Sequence, residues 1–160
     1  MTAPTWGNLR QALYTRLDAQ LTADVWSPKA PQNAQGEVTT PFPYVVIVQA
    51  NESPFNTDGT RGSQFVVQID GYARSTAGAS SEQAIAALAS QVREALERYD
   101  LTGTGVVWID TEFDGMSLGW SDDGMTRRFI GLYRVTLDEV PFTASLFADG
   151  QQGLLFEPKG

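Results

Sequence analysis

The chain has 160 residues and a mass of 17.4 kDa, with no cysteine and no histidine. Its 19 acids against 11 bases leave a formal charge of −8 and a pI near 4.4. The length predicts one domain, or one domain with an arm. The two missing residue types exclude thiol nucleophiles, iron–sulfur clusters, cysteine zinc sites, disulfide frameworks, Ser-His-Asp triads and HExxH zinc centres. The acidic balance disfavours tight binding to nucleic acid or an anionic membrane, because such a surface repels phosphate. Residues 1–20 lack the basic and apolar regions of a signal peptide. The longest apolar run, Tyr44 to Val48, falls far short of the roughly 20 residues that span a bilayer. A soluble, cytosolic protein without a membrane partner is expected.

Residues 5–21 predict an amphipathic helix, since Trp6, Leu9, Leu13, Leu17 and Leu21 recur at intervals of three or four. Pro4 precedes it and Thr5 can cap it. Ser27 to Pro43 contains four prolines and reads as an ordered link lying over the surface. Tyr44–Gln49 is a β-branched run that predicts a central strand. Asn51–Gly62, with Pro54, Asp58-Gly59 and Gly62, reads as a long hairpin loop. From Gln64 to Arg74 the chain alternates, with Phe65, Val67 and Ile69 facing one way, as in a half-buried antiparallel strand. Gly71 inside that strand points to a bulge or a close backbone approach.

Ser80 and Gln83 form a capping box for a second helix, whose stripe is Ile85, Leu88, Val92, Leu96 and Tyr99. Glu94 and Arg98 stand at a favourable i,i+4 spacing on its other face. Val106–Phe113 is a third strand. Asp114-Gly115 and Asp122-Asp123-Gly124 mark the connection to a fourth, Thr126–Val140, long enough to bend. The expected fold is therefore α+β: a two-layer sandwich with a mostly antiparallel sheet of about four strands and two amphipathic helices on one face. Residues 1–140 form the domain and residues 141–160 a C-terminal arm. Phe142, Leu146, Phe147, Leu154, Leu155 and Phe156 make that arm too apolar for a solvated tail, and Asp149-Gly150 can close a hairpin within it.

Little in this chain suggests catalysis. Asp110, Glu112 and Asp114 occupy alternate strand positions and could converge on a hard divalent cation. The spacing imitates the opening of an EF-hand loop, but Ser121 stands where a bidentate glutamate is needed. A solvated strand face ending in an Asp-Gly turn is the plainer reading. Gly103-Thr-Gly105 precedes a strand and has Trp108 at the third glycine position, so it is no dinucleotide fingerprint. The only lysines, Lys29 and Lys159, form no phosphate-binding loop. The four tryptophans read as core or interface anchors rather than a stacking platform, because no basic groove accompanies them. No catalytic, metal-ligating or cofactor-binding residues are assigned.

The order of elements nevertheless carries a resemblance. A leucine-striped helix leads through a proline-rich link to Pro43-Tyr44-Val45-Val46-Ile47. Next come Ile69-Asp70-Gly71-Tyr72-Ala73-Arg74 and the helix containing Ala84-Ile85, Val92-Arg93 and Leu96. Asp123-Gly124-Met125-Thr126-Arg127 then runs into Tyr133-Arg134-Val135. Over about residues 8–138 this order resembles the tail terminator, or tail completion, proteins of long-tailed bacteriophages and gene-transfer particles. The resemblance implies a non-enzymatic virion protein, assembled in the host cytoplasm and placed at the tail–head junction. It implies a homo-hexameric ring that caps the tail tube, ends its polymerisation and joins the head connector, with DNA crossing its channel. Tail tube protein and a head connector or neck protein would be its partners, and no cofactor is implied. The link, the loop at 51–62 and the arm are longer than such a family needs.

Within such a ring, Arg127, Arg128 and Arg134 are candidates to meet Asp110, Glu112 or Asp114 of a neighbour, the alternative being pairing within the chain. Phe55, Asp58 and Arg61 are candidates for contacting the tube or lining the channel. The apolar arm residues are candidates for docking on a neighbour or on the tube, the alternative being that the arm folds back on its own sheet. A head-completion or neck ring protein, a metal-dependent hydrolase with an acidic site and a monomeric binding module are the competing readings.

Overall fold

The leucine repeat near the N-terminus sets the first packing contact. In the computed structural model, which describes residues 2–57, 60–121 and 123–141, helix α1 spans Trp6–Gln20 and buries Leu9, Leu13 and Leu17. The Thr5 hydroxyl accepts from the Asn8 amide at 3.3 Å, satisfying one of the N–H groups that the first turn leaves free. Helix α2 spans Ser81–Leu96 and opens on the expected capping box. Ser80 Oγ accepts from the Gln83 amide at 3.1 Å, and Gln83 Oε1 accepts from the Ser80 amide at 3.0 Å. Ile85, Leu88, Val92 and Leu96 form its buried stripe.

Tyr99 does not extend that stripe. Arg98 takes a left-handed φ of 58° and its amide donates to Thr111 O at 2.9 Å, which turns the chain toward the sheet. Tyr99 instead lies under Arg16, whose guanidinium carbon is 3.3 Å from the ring centroid. For the same reason the ion pair on this helix is Arg93–Glu97 at 3.0 Å, not Glu94–Arg98. Arg16 Nε also donates to Ala95 O at 2.8 Å, fastening α1 to the end of α2.

The sheet has five strands where about four were expected: β1 (Asp24–Trp26), β2 (Tyr44–Thr57), β3 (Thr60–Ala73), β4 (Val107–Trp120) and β5 (Arg127–Asp138). Their order is β1-β2-β3-β5-β4. The additional strand, β1, pairs parallel with β2; its three residues are too few to show a period. The other neighbours are antiparallel.

Two connections read as turns are strand. The expected loop at 51–62 is a continuation of β2 and β3, with Ser53 opposite Gln64 and Asn56 opposite Arg61. Its side chains are mostly exposed on both faces, so they need not alternate. Gly62 belongs there because a Cβ would run into the Leu137 carbonyl. Asp114-Gly115 does not end β4 either. It forms a bulge, visible as a register shift between Phe113 and Gly115, with Gly115 at a φ of 138° that disfavours L side chains. The strand continues to Trp120, and a second shift falls between Trp108 and Asp110. The irregularity expected of the last strand thus lies in its partner.

Both helices cover one face of the sheet. Leu9, Leu13 and Leu17 join Ile85, Val92 and Leu96 over Ile47, Phe65, Val67, Ile69, Phe129, Tyr133 and Val135, all buried. Burying one such side chain contributes about 1.5–3 kcal/mol. Gly71 allows the close approach expected of it, because a Cβ there would enter the Phe129 ring. On the opposite face the 27–43 link covers a smaller cluster of Ala30, Tyr44 and Val46, edged by Trp26, Phe42 and Tyr72. Trp26 Nε1 donates to Thr40 Oγ1 at 3.2 Å, Thr40 Oγ1 donates to Asp24 at 2.8 Å, and Ser27 Oγ donates to Ile47 O at 2.9 Å. These bonds hold the link in place over the sheet surface.

Candidate interaction surfaces

The acidic strand presents its carboxylates on the face away from the helices. Asp110 stands opposite Thr136 and Glu112 opposite Arg134, while Asp114 sits in the bulge. Arg134 Nη2 donates to Asp114 Oδ1 at 2.9 Å, and Arg134 Nη1 lies 3.9 Å from Glu112 Oε1. One cation therefore serves two of the three acids within the chain. Among the described residues, no group of three or more Asp, Glu, His or Cys is arranged to hold a metal ion.

Arg128 is held by Asp70. Its Nη2 donates to Asp70 Oδ2 at 2.7 Å, and Gln68 Nε2 donates to the other carboxylate oxygen at 3.0 Å. Asp70 is 2% exposed, so this is a buried carboxylate on a strand otherwise read as half-polar. Arg127 points to the helix-bearing face, with its guanidinium carbon 4.5 Å from the Trp120 ring. The three arginines thus occupy separate surroundings in one chain: an aromatic ring for Arg127, a buried acid for Arg128 and the β4 acids for Arg134.

The turn between β4 and β5 is built on Asp123. Its carboxylate accepts from the Met125 and Thr126 amides at 2.9 Å each, from the Thr126 hydroxyl at 2.7 Å and from Arg74 at 2.9 Å. The Met125 amide, followed by the Thr126 hydroxyl and amide, holds the Asp123 carboxyl well below its ordinary 3.8. A depressed folded pKa means that this stabilisation is complete above the unfolded value and is lost as pH falls toward the folded one. We expect the Met125 and Thr126 amides to stay protected at neutral pH and to lose protection only below about pH 4, read by hydrogen exchange. Beside this turn, Phe42, Tyr44 and Tyr72 line an open groove of about 730 Å³ with Arg74 and Met125. The Tyr44 and Tyr72 rings stack at 4.8 Å.

The β2–β3 ribbon carries Phe55, half-buried, and Arg61, exposed; Asp58 lies outside the described residues. At its base, Ala3, Glu52, Pro54, Arg61 and Glu139 border a groove of about 580 Å³. Phe142, Leu146, Phe147, Leu154, Leu155 and Phe156 also lie outside the described residues. Trp6 and Trp108 pack against the main core, and Trp26 edges the smaller cluster. Only the fourth tryptophan, Trp120, is strongly exposed.

That exposure belongs to a surface that the sequence reading did not single out. Met116, Leu118 and Trp120 are 44, 51 and 55% exposed, side by side on the helix-bearing face of the edge strand. Helix α2 packs over β3 and β5, and this stretch of β4 reaches beyond that cover. Apolar residues at every second position from 116 to 120 were the available signal. It was lost because Asp114-Gly115 read as the end of the strand.

Comparison with known proteins gives these surfaces a context. A chain in a structure titled "Virion of native gene transfer agent (GTA) particle" has a similar fold, with a TM-score of 0.64 at 18% identity. The match covers 82% of this chain and 96% of that one. No curated protein matches the sequence. The sandwich is thus one that a subunit of a virus-like particle also adopts. The family described as Tail completion protein gp17 matches residues 11–138, and the chain belongs to that family. It is a structural virion protein associated with a phage-type tail.

Proposed function

We propose that the protein is a tail terminator: a homo-hexameric ring that caps the head-proximal end of the tail tube, stops its polymerisation and joins it to the head connector. The observation that carries this reading is the family match over residues 11–138, which takes in nearly the whole described fold. The surface agrees with it. A sheet with two open edges offers the two unlike patches that a head-to-tail ring requires. The net charge of −8 suits a channel that lets DNA pass, since each phosphate contact would add salt-dependent affinity. On this reading Arg127, Arg128 and Arg134 and the acids Asp110, Glu112 and Asp114 lie at or near the seams between copies. Phe55, Asp58 and Arg61 face the tube or the channel. Purified tail tube protein polymerising alone should give tubes of unlimited length, and adding this protein should arrest growth at one end. Unchanged growth with no bound protein would remove the proposal.

The arm is proposed to dock on a neighbouring subunit or on the tube. Deletion of residues 141–160 should leave the domain folded, with its melting temperature little changed, but lower tube binding about tenfold or more. A truncated protein that still forms rings and joins tubes as well as the full chain would sink the docking idea.

A further inference from the structure

Resting on the ring reading, we infer that the ring closes through a seam between the outer half of β4, Met116–Trp120, and the α1–β1 edge of the next copy. The cross-strand register supplies the geometry. Val25 pairs with Val45, Val45 with Gly71, Gly71 with Phe129, and Phe129 with Leu118. Val25 and Leu118 therefore terminate one row at opposite edges of the sheet, on the face that carries the helices. A closed ring relates its copies by rotation without a shift along the axis, so the two halves of its interface must stand at one height. With the strands along the ring axis, these two edges do.

Direction and chemistry fit as well. β1 runs parallel to β2, and the three antiparallel steps that follow leave β4 running opposite to β1. A copy placed beside β4 without turning over thus brings its β1 up antiparallel, able to pair with the free edge. Between α1 and β1 lies a groove of about 220 Å³ lined by Arg10, Gln11, Tyr14, Val25, Trp26 and Ser27. It stands at the level of the exposed Leu118, with Tyr14, Val25 and Trp26 set among the polar Arg10, Gln11 and Ser27. Charge separates this arrangement from the symmetric one. The β4 edge carries Asp110, Glu112 and Asp114 around a single cation, Arg134. The α1–β1 edge carries Arg10, exposed and without an ion pair among the described residues, and Asp24, whose carboxylate already accepts from Thr40. Head-to-tail contact sets the β4 acids toward an edge with the unpaired Arg10, whereas two β4 edges together would set three acids against three.

The natural absence of cysteine permits a clean test. Gln11→Cys and Leu118→Cys are made singly and together, in purified protein and in particles, and treated with a short bis-maleimide. Native mass of the untreated protein is measured alongside. The double variant should give a covalent ladder reaching the full ring, while each single variant stays monomeric on a denaturing gel. Dimers from Leu118→Cys alone would show a symmetric contact and overturn the seam. An intact ring by native mass with no ladder would also overturn it and leave the ring reading standing. No oligomer in either purified protein or particles would overturn both. Leu118→Asp, at an exposed position, should keep its melting temperature and lower the assembled fraction at least tenfold; unchanged assembly would contradict the seam.

Discussion

Replacing Phe65 with alanine is expected to destabilise the protein by about 3–5 kcal/mol, the range for emptying a fully buried aromatic site. Phe65 is 0% exposed and lies in β3 between β2 and β5, opposite Glu52 and Val135. Its ring belongs to the cluster that joins the helices to the sheet. Neighbours on both sides are held by long strand ladders, so the site cannot collapse and most of the cavity cost remains. Urea unfolding should show a lower midpoint with little change in slope, and a melting temperature lower by roughly 6–20 °C. A loss below about 1 kcal/mol would mean that the sandwich does not close around this residue.

Removing Arg128 should cost more than neutralising its partner. Asp70 is buried while the Arg128 side chain is 37% exposed, so the two halves of the pair are not equivalent. In Arg128→Ala the carboxylate stays inside with Gln68 and the Tyr72 hydroxyl as neutral hydrogen-bond partners and no cation beside it, and the expected loss is about 3 kcal/mol. In Asp70→Asn the amide oxygen can still accept from Gln68 and the guanidinium can turn to water, so about 1 kcal/mol is expected. Comparative urea unfolding of the two variants reads the difference. Equal losses, or a larger one for Asp70→Asn, would contradict the assigned burial.

The helices were legible in the sequence because two signals coincided in each: a stripe of Leu, Ile and Val at helical spacing, and a capping residue placed before it. The strand from Gln64 to Arg74 was legible for a similar reason, since one face is core and the other is polar. Legibility failed where that contrast disappears. The ribbon at 51–56 is mostly exposed on both faces, and the outer half of β4 sits at an edge where Ser117 and Leu118 are both exposed. In both places Asp-Gly or Pro suggested turns that long-range pairing overrode. β1 exists through its three-residue pairing with β2, which no local pattern announces. The partner of Arg128 was also hidden. Asp70 read as a polar outward residue, and only the register that sets it beside Ile130, next to Arg128, reveals the buried pair.

The protein's place in the particle and its oligomeric form are open to direct measurement. Electron cryomicroscopy of purified particles, with the protein marked by a fused tag at its N-terminus, measures both directly. One six-membered ring between tail tube and head connector, with β4 of each copy beside β1 of the next, is the predicted result. Density for the protein along the tube wall, or at the tail end far from the head, would contradict the account.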